Sequence, residues 1–183
     1  MNSSQLSQQA LASSLKIIKQ FEGLHLTAYP DPASELAIAL INKGMWKTYL
    51  DGKFIMPKEW ETLDGAPWTI GYGCTQGVKK GDVWTLEKAQ EALSVEVARV
   101  GREVLKRCPK LATEAPSRIA ACVSLAYNIG MGNFGKSTVA HEIEDGDMRL
   151  AADAILMWDK AQGKVLHGLQ ERRKVERNMF LAV

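Results

Sequence analysis

Glu22 is the residue with the clearest chemical meaning in this chain. The pattern before it predicts an apolar helix, and Glu22 falls in its last turn, where the carbonyl ends of the backbone dipoles disfavour a negative charge. Burial beside Ile18 and Phe21 would push the same way, because desolvation raises a carboxyl pKa. A carboxylic acid kept protonated near neutral pH is what glycosidic-bond cleavage needs as its general acid. On position alone, the commoner reading of such a glutamate is a solvated surface residue.

The other reactive residue types form no constellation. His25, His141 and His167 are scattered, with no H-E-x-x-H pair. Cys74, Cys108 and Cys122 are odd in number and show neither a C-x-x-C nor a finger spacing, so neither a disulfide framework nor a metal site is expected. Cys74 has no base near it in sequence and reads as structural. Gly71 to Gly73 lacks the Lys and Ser/Thr of a phosphate loop, and no cofactor is expected.

The elements that must position Glu22 are legible from periodicity. Leu11, Leu15, Ile18 and Glu22 share one helical face, which predicts a helix from about Ser4 to Glu22 capped by Gly23. An extended stretch, Leu24–Tyr29, ends at Pro30-Asp31-Pro32, and Ser34 reads as the N-cap of a helix to about Lys43. Lys47–Met56 alternates around Asp51-Gly52 and predicts a hairpin. Trp68–Tyr72 is β-rich and closes on turn glycines. From Thr85 the chain turns helical: a long run to about Arg107, then helices near 114–129, 137–145, 148–158 and 169–181. These elements imply an α+β front part, residues 1–84, and a helical part, residues 85–183.

Composition narrows the class. The chain has 183 residues, 46% hydrophobic and 24% charged, which excludes wholesale disorder. Lys+Arg 23 against Asp+Glu 21 gives +2, so no dedicated nucleic-acid binder is expected. The longest strongly apolar run, Leu36–Ile41, falls far short of the roughly 20 residues of a transmembrane helix. The Ser- and Gln-rich start shows no secretory signal, so synthesis in a cytoplasm without an export address of its own is expected.

Four segments in order carry a resemblance. They are Phe21-Glu22-Gly23-Leu24 with Ala28-Tyr29-Pro30-Asp31-Pro32-Ala33; Gly65-Ala66-Pro67-Trp68-Thr69-Ile70-Gly71-Tyr72-Gly73 with Thr75; Ala126-Tyr127-Asn128-Ile129-Gly130 with Phe134 and Ser137-Thr138; and Gly168-Leu169 with Arg172-Arg173 and Glu176. Together they resemble the phage-type, T-even-like lysozymes of glycoside hydrolase family 24. The resemblance implies a lysozyme-like α+β fold, with a small α/β N-terminal lobe and a helical C-terminal lobe joined by the helix from Thr85 and an active-site cleft between them. It implies hydrolysis of the β-1,4 bond between N-acetylmuramic acid and N-acetylglucosamine in bacterial peptidoglycan. Glu22 would be the general acid, Asp31 would stay ionised and ready the attacking water, and Thr69 would hold that water. The family inverts, which needs carboxyl groups about 6.5–9.5 Å apart. Tyr127, Asn128 and Ser137 match positions that contact the glycan. One of Arg172 and Arg173 would ion-pair with the acid; otherwise the two belong to a basic solvated face with Lys174 and Arg177. A monomer in the host cytoplasm, without a transmembrane anchor and released to the wall by a holin, is the matching expectation.

One departure stands out. The family pattern places eight residues between Glu and Asp, as between Glu22 and Asp31, and then five before Thr; here positions 32–68 intervene. An insertion of about thirty residues, roughly 34–64, therefore splits the motif, at a closure cost that grows only logarithmically with length. Asp64 is the rival to Asp31. The insertion either widens sugar or peptide contacts, with Trp46 and Trp60 as its candidate binding residues, or is a neutral elaboration. Two other functions compete: a lytic transglycosylase, which needs only one Glu and closes an anhydro ring, and a cell-wall-binding or inhibitory module that has lost activity.

Overall fold

The computed structural model describes residues 6–161 and 163–182. The chain divides into two compact units, one made of the residues up to 21 with those from 94 onward, the other of residues 22–93. The architecture is α+β, mostly helical with two small antiparallel sheets.

In the unit of residues 22–93, β1 (His25–Pro30) pairs antiparallel with β2 (Trp68–Gly71). The Cα partners are His25 with Gly71, Tyr29 with Thr69 and Pro30 with Trp68, with an irregularity between His25 and Tyr29. The other edge of β1 is covered by residues 82–84: the Ala28 N–H donates to the Asp82 carbonyl at 2.9 Å, and the Trp84 N–H to the Leu26 carbonyl at 2.8 Å. β2 runs into a tight turn in which Ile70 and Cys74 exchange both backbone hydrogen bonds at 2.9 Å. Gly71 in that turn has φ +67°, and a Cβ there would stand 3.2 Å from the Trp84 ring, so both backbone and space call for glycine.

The insertion opens as its sequence predicts. The Ser34 hydroxyl accepts from the Ala37 N–H at 3.2 Å and caps α2 (Glu35–Asn42), which buries Leu36, Ala37 and Leu40. The hairpin expected over Lys47–Met56 does not form. Trp46–Leu50 is instead a short helix, α3. Asp51 and Gly52 terminate it: Gly52 sits at φ +68°, and the Lys53 N–H reaches back to the Thr48 carbonyl at 3.0 Å. An Asp-Gly pair supplies the positive φ that a hairpin turn and a helix C-terminus both need. Residues 53–57 form no strand, and a 3-10 turn, Lys58–Trp60, follows.

The other unit is helical. Ser7 caps α1 (Gln8–Phe21), its hydroxyl accepting from the Ala10 N–H at 3.1 Å; the expected start at Ser4 lies outside the described residues. The helix ends at Phe21, so Glu22 follows it instead of closing its last turn. The long helix α4 (Leu86–Arg107) begins after Thr85, whose hydroxyl accepts from the Lys88 N–H at 3.2 Å. α5 (Pro116–Ile129) is the centre of the unit: every residue from Ile119 to Ala126 is buried, and α1 and α9 (His167–Leu181) both pack on it. α6 (Met131–Lys136) is invisible to periodicity because Gly132 and Gly135 depress its helix propensity, yet it buries Phe134. Ser137 caps α7 (Thr138–Asp145) and Asp147 caps α8 (Met148–Ile155), which is shorter than the span to Trp158 that the sequence suggests. The two-residue strands β3 (Lys160–Ala161) and β4 (Lys164–Val165) pair before α9. No described helix is long and apolar enough to cross a membrane.

α9 carries charge into the core. Arg172, Arg173 and Glu176 are all buried, with Ser124 of α5 facing them. The Ser124 hydroxyl donates to Glu176 Oε1 at 2.6 Å; Arg172 Nε lies 3.1 Å from that oxygen, and Arg173 Nε 2.8 Å from Oε2. Burial pushes the Glu176 carboxyl up, while the Arg173 and Arg172 charges and the Ser124 hydroxyl oppose it. With two guanidinium groups in contact, the ionised form is the one this geometry accommodates. Glu176→Ala would remove the carboxylate that both buried arginines contact, and about 3–5 kcal/mol of stability should be lost in urea unfolding. A loss below 1 kcal/mol would show the network to be dispensable.

Candidate active site

The site is built on the β1–β2 pair. Directly opposed residues of an antiparallel pair project to the same face, so the Tyr29 and Thr69 side chains stand side by side. Asp31 follows immediately after β1, and its N–H donates to the carbonyls of Gly65 at 3.2 Å and Pro67 at 2.9 Å. These two bonds pin one end of the insertion to the other, so the residues on either side of it meet. Asp31 is half-buried, Thr69 is buried, and Glu22, just before β1, is half-buried.

Tyr29 ties these residues together. Burial and the negative charges of Glu22 and Asp31 hold its phenol above the usual tyrosine range, which leaves it a protonated donor at neutral pH. The phenol therefore lies within electrostatic reach of both carboxyl groups. Beside it, His25 stacks edge-on at 4.7 Å between ring centroids; burial lowers its pKa, against the raising effect of Asp51. Spacing does not single out Tyr29 as a site residue. The available signal is strand alternation, which sets positions 29 and 31 on one side of an extended chain.

Asp31 and Asp64 hold similar turns. Asp31 Oδ1 accepts from the Ala33 N–H at 2.8 Å, and Asp64 Oδ1 from the Ala66 N–H at 2.9 Å. They differ in surroundings. Asp64 is exposed, and its carbonyl accepts from the Leu36 N–H at the start of α2. Tyr29 feels Asp31 and Glu22, with no contribution from Asp64.

The remaining expected residues belong to the helical unit. Tyr127 is half-buried and Asn128 exposed in the last turn of α5, which closes at Gly130. Ser137 is buried and its hydroxyl is engaged, donating to the Phe134 carbonyl at 2.7 Å and accepting from the Ala140 N–H at 3.2 Å. Arg172 and Arg173 are buried in the Glu176 network, so they form no solvated face with the exposed Lys174. The Arg172 guanidinium also lies over the Phe21 ring, 5.7 Å from its centroid.

With the geometry in place, similarity to known proteins locates the chain. Residues 55–176 match the phage lysozyme family, a span that begins after Glu22 and Asp31. The chain is 34% identical over 116 residues to a SAR-endolysin of Enterobacteria phage P21, covering 62% of this chain and 68% of that one. It is 32% identical over 168 residues to an endolysin of Bacillus phage B103, covering 91% of this chain but only 52% of that protein. Among solved structures, the muramidase domain of SpmX from Asticaccaulis excentricus superposes with a TM-score of 0.71 at 26% identity, covering 97% of this chain and 98% of that one. The α+β fold is thus lysozyme-like, and the chain belongs to the phage lysozyme family.

Proposed function

We propose that the chain cleaves the β-1,4 bond between N-acetylmuramic acid and N-acetylglucosamine by acid-assisted attack of water, following the T-even-like pattern of glycoside hydrolase family 24. Peptidoglycan hydrolysis itself comes with membership of the phage lysozyme family; the bond, the residues and their roles are the proposal. Glu22 protonates the leaving glycosidic oxygen. Asp31 remains ionised, readies water and offsets the positive charge that develops on the sugar, and the Thr69 hydroxyl holds that water. Tyr29, within electrostatic reach of both acids, stays protonated at neutral pH. Tyr127 and Asn128 supply contacts to the glycan, by ring stacking and by amide hydrogen bonds, and Ser137 supports them by capping α7. Arg172 and Arg173 act through the stability of α9.

The observation that carries this reading is the meeting of the two flanks of the insertion. The Asp31 N–H bonds to Gly65 and Pro67, and Tyr29 opposes Thr69, so a motif split in sequence is contiguous in space. Host-cytoplasmic accumulation as a monomer, followed by release through a holin, completes the proposal.

Glu22→Gln should lower the clearing of chloroform-treated cells by several orders of magnitude, and Asp31→Asn by nearly as much. Asp64→Asn should change little, since asparagine keeps the oxygen that accepts from Ala66. Strong loss in Asp64→Asn with none in Asp31→Asn would reassign the aspartate. Mass spectrometry of digested sacculi should find reducing ends; anhydro ends would mean a transglycosylase instead. Expressed alone, the chain should leave cells intact until chloroform opens the membrane, and spontaneous lysis would remove the need for a holin.

A further inference from the structure

A second concave site lies beside the candidate acids, in the same compact unit. It is a pocket of about 340 Å³ between β1 and the insertion. His25 and Tyr29 line it from β1, and Tyr49, Asp51 and Phe54 line it from the insertion. The volume sits at the small end of the roughly 300–1,000 Å³ of ligand sites, enough for one ring-sized unit and not for a chain of them.

The aromatic residues of the insertion are not there to fill a core. None of residues 43–64 is buried, yet that stretch holds Trp46, Tyr49, Phe54 and Trp60, all half-exposed. They form two groups of ring contacts instead. Trp46 meets Tyr29 edge-on at 6.3 Å between centroids, Tyr49 lies 6.1 Å from Phe54, and Phe54 stacks on Trp60 at 5.9 Å. Such packing holds each ring at a fixed tilt while leaving part of it open to a ligand. Polar groups occupy the same wall: Asp51 lines the pocket opposite β1, and its charge is felt by the His25 ring.

We propose that the insertion builds an accessory carbohydrate subsite, in which one pyranose ring of the glycan strand packs against Tyr49 and Phe54 while Asp51 and His25 accept and donate hydrogen bonds at its hydroxyl and acetamido groups. A pyranose has apolar C–H faces and a polar rim, and this lining offers both within one ring's span. A stem peptide, by contrast, presents an extended backbone that needs a row of donors and acceptors, whereas this wall presents the rings of His25, Tyr29, Tyr49 and Phe54. The position fits the ligand: Tyr29 lines the pocket and also stands beside Glu22 and Asp31, so a strand seated at the acids reaches the pocket without leaving the unit. The inference rests on the muramidase reading for its ligand and extends it to the insertion.

The test uses the full chain carrying Glu22→Gln, so that binding is measured without turnover, with a pentamer of N-acetylglucosamine as the probe in isothermal titration. Phe54→Ala and, separately, Asp51→Asn in that background should each weaken binding about tenfold, the scale of one hydrogen bond to a charged group. Asp51→Asn preserves volume and the α3 terminus, so it reports even if Phe54→Ala fails to fold. In the otherwise native enzyme the same changes should raise KM on sacculi and leave kcat within about twofold. Unchanged pentamer affinity in both variants overturns the subsite, as does binding of a free stem tripeptide that depends on Asp51 when pentamer binding does not. Lytic activity surviving in Glu22→Gln would instead sink the general-acid assignment, and the affinity differences would still report on the pocket.

Discussion

The antiparallel register of β1 against β2 is the constraint on which the candidate site depends. Tyr29 opposes Thr69, and the Asp31 N–H closes on the carbonyls of Gly65 and Pro67. A slip of one residue would turn Tyr29 and Thr69 to opposite faces, because side chains alternate along a strand. The ladder is short, and its register is held from both sides. Residues 82–84 bond the outer edge of β1, and the Ile70–Cys74 turn anchors the end of β2. The long excursion between the strands costs little, since closure entropy rises slowly with loop length and its ends are tied by direct backbone bonds.

The two units handle charge in opposite ways. In the helical unit, Arg172, Arg173 and Glu176 are buried, and their desolvation is offset by mutual contact and by Ser124, among other contacts. Such a cluster is costly to break, whatever it contributes over an apolar replacement. In the unit of residues 22–93, Glu22 and Asp31 are left half-buried around one tyrosine.

The insertion is anchored at both ends and thin in the middle. α2 contributes Leu36, Ala37 and Leu40 to the core, and the Asp64 carbonyl accepts from the Leu36 N–H. Between these anchors the chain buries nothing and holds its rings in pairwise contacts, Trp46 against Tyr29 and Phe54 between Tyr49 and Trp60. A segment with so little core has a surface role or none, and its rings abut the candidate site.

Local chemistry alone made much of the helical scaffold readable. Ser34, Thr85 and Ser137 announced helix starts through hydroxyls that do cap them, and the three-and-four spacing from Leu86 to Val104 marked α4. Motifs in order pointed to the family, and Glu22 stood out by type and position. Signals with two local solutions were decided by tertiary structure. Asp51-Gly52 fits a hairpin or a helix end, and the structure takes the helix end, with the Lys53 N–H bonded back to the Thr48 carbonyl. Arg172 and Arg173 fit a solvated face or a buried pair, and the reach of Ser124 and Glu176 from α5 and α9 chose burial. The nearness of Asp31 to Gly65 and Pro67 across the insertion, and of Tyr29 to Thr69, depends on strand pairing between distant segments, a non-local interaction that no window of sequence contains.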